Sequence, residues 1–316
     1  MPIPLVIVNP ASANGTTAKL WPKIASELRS HFGSFGVLFT DAPGSGAQLA
    51  SEAARKGVSF IIACGGDGTI SEVANGILSS GKDVELGILP SGTGGDFRRT
   101  LAIPSDARGA ARLLRNGRTR RVDVGRVSYI DHNAGEATRY FLGVASCGMS
   151  TKVIQLVKEG GPNWLPNNTP QWLAGRLSFG ASMIQTALRS NDTRVVVQLD
   201  DSRIHRLNVA ALCIANARFF GGGMKIAPDA KLADGKFDVV SVGEISAVKL
   251  ATSAPRVYLG KHLSMPEVSH TLARKIELKA AEGADEIALE IDGELPGRLP
   301  ATFQIIPSAL RVRCGT

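Results

Sequence analysis

Two short runs combine glycines with groups that manage phosphate and protons: Gly65-Gly66-Asp67-Gly68-Thr69 and Ser91-Gly92-Thr93-Gly94-Gly95-Asp96-Phe97-Arg98-Arg99. In the first, the glycines let the backbone turn tightly and approach a ligand closely, and the N–H groups of a helix starting there form an anion site. Asp67 needs its own explanation, because a carboxylate aimed at phosphates repels them unless it binds a metal or a hydroxyl proton. The second run adds hydroxyls on Ser91 and Thr93, the Asp96 carboxylate, and the cations Arg98 and Arg99. Backbone donors, carboxylates and cations together are the inventory of a phosphoryl-transfer site. Neither run is a Walker A sequence and the chain has no His-Arg-Asp catalytic loop, which excludes P-loop nucleotidases and protein kinases.

The remaining polar motifs are plainer. Asp292-Gly293 and Asp234-Gly235 lie between strand-like runs and read by themselves as hairpin turns. The five histidines show no metal spacing and read as surface or packing residues. Cys64, Cys147, Cys213 and Cys314 are far apart in apolar or terminal settings, the pattern of reduced packing thiols.

These groups need elements to hold them. At 316 residues the chain is about twice a single-domain length, and 44% hydrophobic with 20% charged residues excludes disorder. Up to about residue 125 the pattern is a βαβ series. Strands are expected at Leu5–Val8, Val37–Phe39, Ser59–Cys64 and Glu85–Leu89, with helices at Ala18–Leu28, Ala47–Lys56 and Ile70–Leu78. Both glycine runs then follow strand ends, where ligands bind in an open parallel sheet. Beyond that point strands with turn signals take over, at Arg121–Ile130, Arg139–Ser146, Arg194–Asp200, Ile204–Ala215, Phe237–Val242, Lys275–Lys279 and Ile287–Ile291. Helical insertions fall at Thr151–Lys158, Trp172–Leu188 and Ala247–Leu259, and Glu159–Gln171 reads as a mobile loop. The fold class expected is an α/β domain with a parallel sheet over 1–125, with 303–316 a candidate to complete it, and a mainly antiparallel β domain over 126–302, which the family resemblance below implies is a β-sandwich.

The formal charge is +8, and nine arginines against two aspartates between Arg98 and Arg126 account for +7 of it. Arg108, Arg112 and Arg115 form one stripe of a helix after Pro104-Ser105, either a solvated face or a dock for phosphate groups. No segment is apolar enough to span a bilayer and the N-terminus does not read as a secretory signal, so a cytoplasmic protein, peripherally associated with membrane, is expected.

In combination these motifs resemble the diacylglycerol kinase catalytic-domain family, the lipid kinases that include bacterial diacylglycerol kinases, sphingosine kinases and ceramide kinases. The resemblance runs over nearly the whole chain. It starts at Asn9-Pro10, Thr40, Gly65–Thr69, Gly92–Phe97 and Val122–Gly125, and continues through Gly221–Pro228, Ala230–Asp238, Asp292–Glu294 and Ile306–Leu310. It implies an ATP-dependent kinase acting on a lipid hydroxyl, most commonly that of diacylglycerol. ATP contacts would come from Asn9, Thr40, Gly65, Gly66, Asp67, Gly68, Thr69, Ile70, Ser71, Glu72, Gly92 and Thr93, with Arg98 and Arg99 on ATP phosphates or the lipid headgroup. It also implies a structural magnesium ion (Mg2+) on Asp234 and the backbone carbonyls of Lys231 and Lys236. Asp292 or Glu294 would be the base, in a network with Asp67, Asp96 and Asp123. The partners implied are ATP and a lipid at an anionic membrane surface, not nucleic acid, and a homodimer is left open. Two departures stand out: Gly95 and Ser71 occupy positions where the family usually carries Asn. Competing readings are an NAD kinase-like phosphotransferase, which shares the first glycine run, and a non-catalytic module that binds nucleotide or membrane.

Overall fold

The computed structural model describes residues 3–92, 94–158 and 193–315. The chain divides into two compact units, Met1–Val124 with Pro307–Thr316, and Gly125–Ile306. In the first unit, continuous Val and Ile runs bury both faces of short strands, which selects a parallel sheet covered by helices. The order along the chain is β1 (Leu5–Val8), α1 (Thr16–Phe32), β2 (Gly36–Phe39), α2 (Ser45–Arg55), β3 (Phe60–Gly65), α3 (Asp67–Ser79), β4 (Glu85–Pro90), α4 (Asp96–Thr100) and α5 (Ala107–Asn116). Strand order is β2-β1-β3-β4, all parallel. A fifth parallel strand, the end of β15 (Glu294–Cys314), joins β4 with Arg311 opposite Glu85.

The second unit holds β6 (Glu136–Phe141), β7 (Val144–Gly148), α6 (Met149–Lys158), β8 (Thr193–Leu199), β9 (His205–Val209), β10 (Ala211–Ala215), β11 (Phe237–Val242), α7 (Ala247–Leu259), β12 (Val268–Ala273), β13 (Lys275–Ala280) and β14 (Ala288–Ile291). The division passes through β5 (Arg118–Asp131) and β15. One antiparallel run is β12-β11-β10-β7-β14-β15 and another is β9-β8-β13-β15. Phe141, Phe237 and Phe303 fill the core, Phe141 stacking on Phe237 at 5.5 Å and meeting Phe303 edge-on at 6.3 Å.

Several expectations change. The single strand expected over Arg139–Ser146 is two, β6 and β7, because the N–H groups of Leu142 and Gly143 turn to the Asp292 carboxylate. The run Ile204–Ala215 is also two, since β9 pairs with β8 whereas β10 pairs with β7 and β11. Residues Asp96–Arg99, read as loop, form α4. Strand β15 crosses Pro296, Pro300 and Pro307, which hid it from a reading that treats proline as a breaker. The expected loop Glu159–Gln171 and helix Trp172–Leu188 lie outside the described residues. Among the described residues no helix is long and apolar enough to cross a membrane. All four cysteines are free and buried, and burial pushes the Cys64 and Cys147 thiols up to about 12.

The return of the chain into the first sheet is locked by charge. Arg313 grips Glu85 at 2.5 and 2.7 Å and lies 5.0 Å from the Phe60 ring, while Thr119 donates to the same carboxylate at 2.6 Å. Burial alone raises the Glu85 acid, but the bonds from Arg313 and Thr119 and the charges of Arg313 and Arg311 hold it below its ordinary 4.5. The lock therefore contributes fully above pH 4.5 and is lost as pH falls through the folded-state value. Arg313→Ala is expected to cost about 3 kcal/mol by leaving the buried Glu85 with only the Thr119 hydroxyl and Arg311 at 3.9 Å. Glu85→Gln should flatten the fall of stability below pH 4.5, and urea unfolding across pH that shows the wild-type slope would refute the assignment.

Candidate active site

Strand β3 ends at Gly65 and α3 begins two residues later, so the run Gly66–Thr69 forms its N-cap and first turn. The N–H of Ile70 already bonds the Gly66 carbonyl at 3.1 Å, leaving those of Asp67, Gly68 and Thr69 with no partner inside the helix. Strand β4 ends beside it, and Ser91 N–H extends the ladder to the Gly65 carbonyl at 2.9 Å. The two loops touch backbone to backbone: a Cβ on Gly92 would lie 2.6 Å from the Gly66 Cα, so only glycine fits there.

Asp67 answers the question its position raised. Its carboxylate accepts N–H groups of Gly95 (2.6 Å), Asp96 (3.2 Å) and Phe97 (3.4 Å), the N-cap and first residues of α4. Backbone N–H groups of the second loop thus face the negative charge. Gly95 has φ +70, a left-handed N-cap open to glycine and asparagine alike, and a Cβ there would lie 2.8 Å from Arg98 Nε. Asp96 pairs with Arg99 at 2.8 Å, and Arg99 also bonds the Gly94 carbonyl. Arg98 turns away, donating to the Ile103 carbonyl at 3.0 Å; burial first, then the neighbouring Arg99 charge, lowers its pKa.

Of the other expected contact residues, Asn9 bonds to the first of these loops. Asn9 donates from Nδ2 to Thr69 Oγ1 at 3.0 Å, fastening the end of β1 to the start of α3. Ser12, Thr17 and Ser91 form a hydroxyl cluster that spacing alone did not reveal, with Thr17 Oγ1 at 2.5 Å from Ser12 Oγ and 2.7 Å from Ser91 Oγ. Thr40 is 8% exposed at the end of β2; Ile70 and Ser71 are buried on α3. Glu72 accepts the N–H groups of Gly44 (2.8 Å) and Gly46 (3.0 Å), which caps α2. Asp123 is buried and accepts Ser308 N–H at 2.8 Å, so its carboxylate holds the returning strand. Thr93 lies outside the described residues.

In the second unit Asp292 (φ +48) and Gly293 (φ +86) make a two-residue hairpin between β14 and β15, with Ile291 opposite Glu294. The two carboxylates are held differently. Asp292 accepts backbone N–H groups from Leu142 (3.0 Å) and Gly143 (2.8 Å), whereas the side chain of Glu294, 40% exposed, pairs with Arg139 at 2.5 Å. Arg139 and the fully buried Glu290 belong to this cluster and carried no sequence signal, since their partners are remote in the chain. Asp234 is exposed and its Oδ1 accepts the Lys236 N–H at 3.1 Å; Lys231 is exposed too. Among the described residues no group of three or more His, Cys, Asp or Glu could hold a metal.

Residues 4–127 match the diacylglycerol kinase catalytic domain family and residues 165–314 match the YegS C-terminal NAD kinase beta sandwich-like domain. A diacylglycerol kinase of Mycobacterium tuberculosis is 29% identical over 313 residues, covering 97% of this chain and 93% of the relative. That of Staphylococcus haemolyticus is 28% identical over 301 residues, covering 94% and 84%. A crystal structure of a diacylglycerol kinase from Bacillus anthracis, 22% identical, shares the fold with a TM-score of 0.71 over 99% of this chain and 97% of that one. The chain belongs to the diacylglycerol kinase catalytic-domain family, a family of lipid kinases.

If Asp67 clamps the second loop, Asp67→Ala should leave the fold intact while the amides of Gly95, Asp96 and Phe97 exchange with solvent about tenfold faster or more, the equivalent of one charge-assisted hydrogen bond. Unchanged exchange at those amides would remove the clamp.

Proposed function

We propose that this chain, as a member of the diacylglycerol kinase catalytic-domain family, transfers the γ-phosphoryl group of ATP to a lipid hydroxyl, with diacylglycerol as acceptor and phosphatidic acid as product. The observation that carries the reading is the pair of glycine-rich loops at adjacent parallel strand ends, locked by Asp67. The N–H groups of Asp67, Gly68 and Thr69 at the start of α3 form an anion cradle, and the helix dipole adds positive potential there. Because Asp67 is satisfied by the second loop, its charge is turned from the cradle that phosphates would enter.

Glu294 is our candidate for the general base. Asp292 has both carboxylate oxygens occupied by backbone donors, while Glu294 keeps an exposed edge beside Arg139. For magnesium, one carboxylate plus backbone carbonyls in a turn is an all-oxygen donor set that suits a hard cation. Asp234 with the carbonyls of Lys231 and Lys236 would hold the ion, whose contribution there is to brace the turn. On α5, Asp106 caps the helix through the Gly109 N–H at 2.7 Å, Ala110, Ala111 and Leu114 are buried, and Arg108, Arg112 and Arg115 are exposed. We assign that stripe to an anionic membrane surface, where each arginine contributes on the order of 1 kcal/mol.

A labelled-ATP assay over diacylglycerol, sphingosine, ceramide, monoacylglycerol and NAD tests the reaction. Diacylglycerol should be labelled, Glu294→Gln should fall by about 10² to 10⁴ in rate, and magnesium should raise the Tm of wild type but not of Asp234→Ala. Labelling of NAD alone would overturn the lipid assignment. Replacing Arg108, Arg112 and Arg115 by Gln should weaken binding to vesicles rich in anionic lipid, with activity on detergent-dispersed substrate preserved; binding insensitive to these changes or to salt returns the stripe to a solvated face.

A further inference from the structure

Three carboxylates stand at alternate positions, 290, 292 and 294, and the proposed reaction draws on the last. Glu290 lies on β14 between Leu289 and Ile291, and all three are 0% exposed. Its register partner on β7 is Ser146, itself 1% exposed. Ser146 Oγ bonds Glu290 Oε2 and, at 2.8 Å, Ser150 Oγ in the first turn of α6. The Gly293 N–H donates to Glu290 Oε1 at 2.6 Å. One side chain thereby ties together a neighbouring strand, a helix and the turn that presents Glu294.

A charge at this position would be costly, since a buried carboxylate is tolerated only when paired. Of the groups around it, Asp292 on its own hairpin repels a second negative charge. Arg139 on β6 is bound to Glu294, and Cys213 on β10 is a thiol that burial pushes up. From α6 come the hydroxyl of Ser150 and an exposed Lys152. Burial foremost, with repulsion from Asp292, outweighs the bonds from Ser146 and Gly293 and pushes the Glu290 acid up to about 8. At neutral pH it is therefore a neutral acid. Its Oε1 accepts the Gly293 N–H, and its Oε2 shares a hydrogen with the Ser146 hydroxyl.

We propose that Glu290 is a positioning residue for phosphoryl transfer: by bridging Ser146 and the Gly293 N–H it fixes the Asp292–Glu294 hairpin in the conformation that presents Glu294 to the substrate hydroxyl. The inference rests on the reading of Glu294 as the base. A carboxyl whose folded-state pKa is raised supports the fold fully below its ordinary 4.5, and that support is lost as pH rises through about 8. The hairpin should accordingly loosen on the alkaline side.

The test compares Glu290→Ala with Glu290→Gln, which keeps one donor and one acceptor and does not titrate. In Glu290→Ala, kcat should fall at least about tenfold with the KM for ATP within about twofold; Gln should restore kcat to within about threefold and abolish the alkaline fall that wild type shows above about pH 8. Amide exchange across 288–296, measured without substrate, should be fast in Ala and as in wild type in Gln. Should Glu290→Ala not fold, Ser146→Ala removes one of the two bonds and should give an intermediate loss of kcat and of protection. The proposal is overturned if Gln is as impaired as Ala, if the alkaline limb is identical in wild type and Gln, or if Ala keeps wild-type kcat and exchange. A wild type that labels no substrate overturns the kinase reading instead, while the exchange comparison still decides what Glu290 holds.

Discussion

The α/β unit is organised around one carboxylate. Asp67 sits in the first turn of α3 and reaches the N-terminus of α4, so two helix starts, each offering N–H groups, meet at a single negative charge. Because the Gly66 and Gly92 backbones are in contact there, no side chain separates the loops, and the charge has little choice of partner. Helix starts that would otherwise compete for anions are thus divided: α4 takes the protein's own carboxylate and α3 stays open. Asn9 and Ser12 after β1, Thr17 in α1 and Ser91 after β4 reinforce the arrangement, and Glu72 does for α2 what Asp67 does for α4.

The second unit solves a related problem by a different distribution. The hairpin at 292–293 brings three acids into a short span with Arg139 as their named cation. They settle into three states of solvation: Asp292 on backbone donors, Glu294 on the guanidinium at a partly wet edge, and Glu290 dry on a hydroxyl and an amide. Groups of one chemical type with environments this different are how a protein separates a proton acceptor from structural acids.

How legible this was depends on distance along the chain. The glycine runs, the βαβ alternation and the α5 stripe are local patterns of turn chemistry and periodicity, and they read directly. Asp67 was visible as an anomaly, but the N–H groups that donate to it lie 28 to 30 residues downstream, and no local rule names them. Glu290 carries no local signal because its partner Ser146 is 144 positions away. The turn at Asp292-Gly293 was correctly a hairpin, yet what makes it more than a turn is Arg139, supplied by a different strand. The breaks at Leu142–Gly143 and Ala210 went unseen because they follow from which neighbour a strand pairs with, and proline-bearing β15 defied a rule that holds for shorter strands.

The lock between Glu85 and Arg313 spans 228 positions. A ribosome delivers the chain in one direction, so β4 waits with its open edge and an unmatched glutamate while everything from 125 to 306 is made. The antiparallel unit has all its strands before the parallel sheet receives its fifth. The α/β unit, first along the sequence, is thus the last to receive all its strands, and a nascent chain stalled before Pro307 would present β4 with a bare strand edge that invites chaperones or neighbours.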